Sequence, residues 1–286
     1  MFVRTHRWIG ISLAVAVSLV FAFVGCKDKN DAKAVKAPSV QVEPKKDNNG
    51  KAIPAKPVSF GKEPKLFSFR DAVILDPAPE GEVRPPDTAC NGKNIAKIFE
   101  AIANDLWDNA NFKDATGKPA RYQAIMTTDL GEIHIDLYHD IAPNHVRNFV
   151  AVARSGYYDG MPFYYSFHDI VEGTKVAWIE SGCPKGTGED GYGSVGYWLK
   201  SEFSEKITHE PGTIGACLRV TDDTAACRFY ITAVALPKMD GKFTAFGKVT
   251  KGLDVVHTIN TRPLGEMGRP KDPVLIKSVT IRAVSE

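Results

Sequence analysis

Hydrophobic and polar positions change period several times along the chain, and each change marks a boundary. Residues 8–24 are apolar on every face, with Arg4, His6 and Arg7 ahead of them and polar sequence behind. A short cationic stretch, an apolar run and a small residue, Gly25, have the build of a signal peptide over 1–25. An uncleaved anchor helix is the alternative, because about 17 to 25 apolar residues span a bilayer. A buried core helix would show a polar face, and this run has none. Both surviving readings export the rest of the chain. Residues 26–86 have no sustained apolar period and are rich in Lys, Pro, Ala, Asn and Asp. Such a segment cannot bury enough apolar area to offset its ordering entropy and reads as a flexible linker. Its prolines favour extended backbone that holds a domain away from a membrane, and its lysines near Cys26 suit anionic headgroups.

In 87–120, Ile95, Ile98, Phe99, Ile102 and Leu106 recur at helical spacing, with Asn94 as N-cap and Gly117-Lys118-Pro119 as a stop. One helix is predicted, its apolar face packed on the following domain or, alternatively, on a partner. After Arg121 short strands are predicted at 124–127, 132–138, 229–233, 244–249 and 275–283. Two helices interrupt them. The first, 143–153, opens on Pro143 and carries Val146, Phe149, Val150 and Ala153 on one face; the second covers 252–260. Many short strands with turn signals and few helices predict a mainly β domain over 121–286, a closed antiparallel barrel with helical plugs. No internal repeat is visible.

Composition changes this picture little. The 286 residues suffice for one packed domain with extensions or two small ones, and 43% apolar with 24% charged residues is ordinary. A net charge of +2 gives no reason to expect nucleic acid. Export would put Cys90, Cys183, Cys217 and Cys227 where disulfides persist, but no C-x-x-C spacing suggests zinc. Glycine-rich 186–196 lacks the Lys-Ser/Thr ending of a phosphate loop. His134, His139 and His145 are separated by a strand, a turn and a helix start. Neither a metal nor an organic cofactor is expected. No nucleophile, base and orienting acid gather at a glycine elbow, so hydrolase chemistry of that kind is unsupported.

Two blocks of sequence carry resemblances. Gly25-Cys26 after the apolar run resembles the lipobox of bacterial lipoproteins, in which Cys26 would become the lipidated first residue; Phe23 departs from the usual Leu. The stretch MTTDLGEIHIDLYHDIAPNHVRNFVAVARSGYYDGMPF, 126–163, resembles the opening of a cyclophilin domain, and MDGKFTAFGKVTKGLDVVHTI, 239–259, its closing half. Between them, SGCPKGTGEDGYG and EPGTIGACLRV occupy the family's glycine-rich loop and groove strand. The resemblance covers roughly 121–284. It implies an eight-stranded antiparallel barrel capped by two helices, and peptidyl-prolyl cis-trans isomerisation of exported, proline-containing polypeptides. The barrier to that reaction, about 18 to 20 kcal/mol, is set by C–N resonance. The protein would be a monomer, tethered by lipid on the periplasmic side of a bacterial cell envelope.

In family members an arginine beside the groove donates to the prolyl nitrogen and carbonyl, a fixed cation that needs no proton transfer. If Phe163 opens the family's Phe-His-Arg, the arginine position is Tyr165; if Phe167-His168 does, it is Asp169. The first register runs into Phe163 without a gap. It puts Glu180 and Arg228 where two glutamines lie side by side, a substitution suited to a bidentate pair. Tyr165, Glu180 and Arg228 are therefore the candidates for the chemistry, with Arg228, or else Arg219, as a relocated guanidinium. A structural ion pair is the competing reading of Arg228. Trp178, Cys217, Leu218, Arg219, Tyr230, Met239 and Phe243 are the substrate-binding candidates. Ala177 and Lys238 also differ from the family, and weakened activity is the expected result. Cys217 and Cys227 flank the groove loop as a disulfide or as two free thiols. A non-catalytic proline-binding module, and a groove filled by the insertion 166–175, are the rival functions.

Overall fold

A computed structural model describes residues 64–189 and 192–285. The apolar run 8–24, Cys26 and the linker up to residue 63 lie outside them. Eight strands form the main sheet: β2 (Ala120–Thr128), β3 (Gly131–Leu137), β4 (Tyr165–Val171), β5 (Thr174–Ser181), β7 (Thr213–Ala216), β8 (Phe229–Thr232), β9 (Ala245–Lys251) and β10 (Ile276–Ser285); burial alternates along β2 and β3, while β7 and β8 are buried throughout. They form one antiparallel sheet in the order β10-β2-β3-β9-β7-β8-β5-β4. The end strands β10 and β4 are not laddered to each other. A short bridge joins the segments leading into them, Pro162 opposite Leu275, with Phe163 N–H donating to Val274 O at 2.9 Å and Ile276 N–H to Met161 O at 2.9 Å.

The strands expected from alternation are all present. The hairpin β4–β5 was not expected. It takes up the insertion 166–175, and its two-residue turn puts Glu172 and Gly173 at φ 50° and 76°. Positive φ at both central positions is what a type I′ hairpin requires. Glu-Gly is an uncommon choice for that turn, which hid it.

Two helices pack on the sheet, α4 (Pro143–Arg154) and α5 (Leu253–Asn260). Pro143 sits in the first turn of α4, as its sequence predicts, but Ala142 at the N-cap has no side chain to accept a hydrogen bond. Glu202 substitutes from a distant loop. Its carboxylate accepts from Asn144 N at 3.2 Å, His145 N at 2.9 Å and His145 Nδ1 at 2.7 Å. A negative group on the orphan N–H donors of a helix start satisfies them and complements the helix dipole.

The segment before the sheet is more ordered than its composition suggests. A linker reaching residue 86 is too long, because α1 (Phe69–Ala72) and β1 (Val73–Ile74) bury Phe69, Ala72 and Val73 in the core. β1 pairs with β6 (Trp198–Leu199), an arrangement no local pattern announces. The predicted helix is present as α2 (Ile95–Ala101), followed by a π turn (Ile102–Leu106) and α3 (Trp107–Asn109). Asn94 caps it by accepting from Lys97 N at 2.9 Å, and Ile95, Ile98 and Ile102 are buried. Arg147 of α4 fixes its far end. The guanidinium donates to Trp107 O at 2.9 Å, Ala110 O at 3.1 Å and Phe67 O, and lies over the Trp107 ring at 4.6 Å. A cation at the unpaired carbonyls of a helix end is favourable on both counts. The helix thus docks on the following domain.

Candidate functional site: an apolar cup beside a buried ion pair

Side chains alternate along β5, so Trp178 and Glu180 share a face while Ile179 turns to the other. Register brings neighbours to them. Across β4, Phe167 opposes Trp178 and Tyr165 opposes Glu180; across β8, Thr232 opposes Trp178 and Tyr230 opposes Glu180. Tyr165, Phe167, Trp178, Glu180 and Tyr230 therefore fall on one side of the sheet.

Glu180 is fully buried there and accepts from three donors: Trp178 Nε1 at 2.9 Å, Tyr164 OH at 2.7 Å and Arg228 Nη2 at 3.2 Å. Arg228 also donates Nε to the Tyr164 hydroxyl at 2.8 Å. The side chains of the Arg228–Glu180 pair are 1% and 0% exposed. Charges this deep stay ionised only when paired and hydrogen-bonded. Burial opposes the Arg228 cation, yet Tyr164, Cys217 and Glu180 around it raise its pKa well above the ordinary arginine value. Burial, reinforced by Glu180, pushes the Cys217 thiol well up and the Tyr165 phenol up likewise. Glu180 and Arg228 do face each other as a buried pair, with Arg228 Nη1 left without a hydrogen-bond partner among the described residues.

Next to this network lies an open feature. Trp178, Val171, Thr174 and Val176 of the β4–β5 hairpin face Ala235, Leu236, Pro237, Lys238 and Met239 across a cavity of about 140 Å³. Phe167 stacks on Trp178, rings 4.7 Å apart, and braces the hairpin wall. Lys238 Nζ meets Glu172 Oε2 at 3.3 Å, both well exposed, so a surface ion pair joins the two walls. The insertion supplies a wall of this cup.

Of the residues singled out from sequence, Trp178 and Met239 line the cup. Tyr165 lies near it, 8% exposed, its ring 6.1 Å from that of Trp178 and packed beneath Gly268. Tyr230 is fully buried with Phe243 edge-on at 6.2 Å. Cys217 and Leu218 are buried away from the cup lining. The Arg219 side chain is 5% exposed and faces Glu82 at 3.2 Å, a carboxylate that also accepts from Trp198 Nε1 at 2.9 Å. Burial raises the Glu82 pKa, opposed by Trp198, Arg219 and Arg228. All four described thiols are free. Ala216 opposes Phe229 and Cys217 N–H bonds to Arg228 O, so Cys217 faces Arg228 rather than Cys227. One residue along, Cys227 turns to the opposite side of the sheet. There burial pushes its thiol up to about 12. The three histidines also part company: His134 meets Glu132, His139 stacks on Phe112 and His145 meets Glu202. Sequence reasoning missed Tyr164, Glu82, Leu236 and the pair His209–Asp240, none of which carries a local motif.

The family model for cyclophilin type peptidyl-prolyl cis-trans isomerase matches residues 123–281. The chain belongs to the cyclophilin family. Among its relatives, peptidyl-prolyl cis-trans isomerase cyp15 of Rhizopus delemar is 34% identical over 223 residues, 71% of this chain and 34% of that protein. Peptidyl-prolyl cis-trans isomerase-like 3 of Gallus gallus is 34% identical over 157 residues, 54% of this chain and 93% of that one. The chain thus spans about a third of the first relative's length. A crystal structure of a cyclophilin type isomerase from Cryptosporidium parvum shares the fold, with a TM-score of 0.51 at 23% identity, covering 57% of this chain and 98% of that one. The cyclophilin match begins in β2 and ends in β10, so α1 to α3 and the strap carrying Glu82 stand outside it.

Proposed function

We propose that this cyclophilin binds X-Pro segments of exported polypeptides in the cup and isomerises them weakly. The cup carries the reading: its walls are Trp178, Leu236, Met239 and Val176, apolar and aromatic surface of the kind that receives a proline ring. Weak turnover is expected on electrostatic grounds. A guanidinium must reach the twisted amide to donate to it, and the Arg228 side chain is 1% exposed, with Nε given to Tyr164 and Nη2 to Glu180. Among the described residues, the cation on the cup lining is Lys238, a point charge without arginine's planar fork. The buried state of Arg228 equally favours the rival, a proline-binding module that does not lower the barrier.

A protease-coupled assay on an Ala-Pro tetrapeptide, run beside calorimetry with the same peptide, separates the two. Binding with turnover a few-fold above the uncatalysed rate supports a weak isomerase. Binding alone supports the module, and the absence of both binding and turnover excludes a prolyl site. Export and a lipid anchor complete the proposal, supported by the apolar run 8–24 and Gly25-Cys26. Mass spectrometry of the mature N-terminus should find an acylated Cys26; an intact Met1 would contradict it.

A further inference from the structure

Behind the Leu236–Met239 wall of the cup runs a chain of three polar groups, the buried Tyr230 and His209 and the part-exposed Asp240. His209 is 2% exposed. Its Nδ1 lies 2.8 Å from Asp240 Oδ1, and its backbone N–H donates to the same oxygen at 2.7 Å. Its Nε2 lies 2.7 Å from the Tyr230 hydroxyl. The rings of His209 and Tyr230 stack at 5.9 Å. The backbone closes the frame: Leu236 N–H donates to His209 O at 2.7 Å, and Phe243 N–H to Met239 O at 3.2 Å. Tyr230 reaches His209 only because its strand partner is Gly215. A Cβ at that position would sit 2.1 Å from the Tyr230 oxygen.

The protonation pattern is dictated by the partners. A carboxylate accepts only, so Asp240 takes the proton on Nδ1 and leaves Nε2 to accept from the Tyr230 O–H. The chain then links the wall, through Asp240 and Leu236, to β8, whose Thr232 lies opposite Trp178 on the other wall. We infer that His209 and Asp240 are positioning residues of the proline cup, holding the Leu236–Met239 wall at a fixed distance from Trp178 through Tyr230. The inference rests on the cup being the prolyl site.

It has a consequence in acid. Protonated His209 donates from both nitrogens, so the Tyr230 hydroxyl loses its acceptor in a buried setting and the frame loosens. Burial lowers the His209 pKa from the ordinary histidine value, against the pull of Asp240, so the neutral form persists at neutral pH and is lost only in acid below the ordinary histidine range. Asp240 and Tyr230 face His209 directly, and Cys217 and Glu180 face Tyr230 from behind.

Calorimetric affinity for an Ala-Pro tetrapeptide, measured from about pH 7.5 down to pH 5, tests this with wild type, His209→Gln and Tyr230→Phe. Wild type should lose about tenfold in affinity across that step, the worth of one buried hydrogen bond. Both variants should bind more weakly at neutral pH and show no step, because each removes one end of the switchable bond. Glu180 and Cys217 are untouched in the variants, so a step that survives in both belongs to them and overturns the inference. Wild type that binds with no step overturns it too. Wild type that does not bind at any pH removes the prolyl site, and with it the inference.

Discussion

Glu180→Ala and Arg228→Ala should each destabilise the protein by about 3–5 kcal/mol, whereas the double substitution Glu180→Gln with Arg228→Gln should cost far less than either. Each alanine leaves a buried charge without its counter-ion, and in Glu180→Ala the indole of Trp178 and the hydroxyl of Tyr164 lose their acceptor as well. The two glutamines remove both charges together and keep amide groups able to bond to Tyr164 and Trp178. They also restore the pair of amides that the cyclophilin resemblance assigns to these positions. Urea denaturation of Glu180→Gln, Arg228→Gln and their double, analysed as a double-mutant cycle beside the alanine singles, measures the coupling. Additive losses would mean that Glu180 and Arg228 do not act as a unit.

The second large effect concerns activity. Tyr165→Arg should raise kcat/KM for a prolyl peptide by about 10²-fold, the range associated with one preorganised donor at a developing charge. Position 165 stands opposite Glu180 and one ring away from Trp178, so an arginine there would approach the cup from the side where the family arginine is expected. Glu180 is already committed to Arg228, which leaves a second guanidinium free to meet substrate. Protease-coupled kinetics, with circular dichroism to verify folding, decide the matter. A folded variant with unchanged kcat/KM would contradict the proposal that turnover lacks a free guanidinium at the cup.

The parts of the fold with strong periodicity could be read in advance. β2, β3 and β10 alternate clearly, α4 opens on Pro143, and Asn94 caps α2. What escaped lacked a local signal. The β4–β5 hairpin turns on Glu172-Gly173 in place of the usual Asn-Gly or Asp-Gly. The short apolar cluster Phe69–Val73 is stabilised by β6, far away in sequence, so its composition looked like linker. At the site, Glu180 and Arg228 were legible because both depart from the family together, in opposite charge. Glu82, Tyr164, His209 and Asp240 were not, since a lone polar residue has no period and gains its meaning only when another strand or loop is packed against it.

A buried ion pair, Glu180 with Arg228, lies beside an apolar cup. On the proposed reading the arginine is held by its carboxylate, while the surface offered to a proline ring stays open. The most direct test is nuclear magnetic resonance of the protein with an Ala-Pro tetrapeptide. Intermolecular Overhauser contacts from the proline ring to the Trp178 indole and the Met239 methyl are the result that supports the cup as the prolyl site. Saturable binding that perturbs neither residue, or no binding at all, would contradict it.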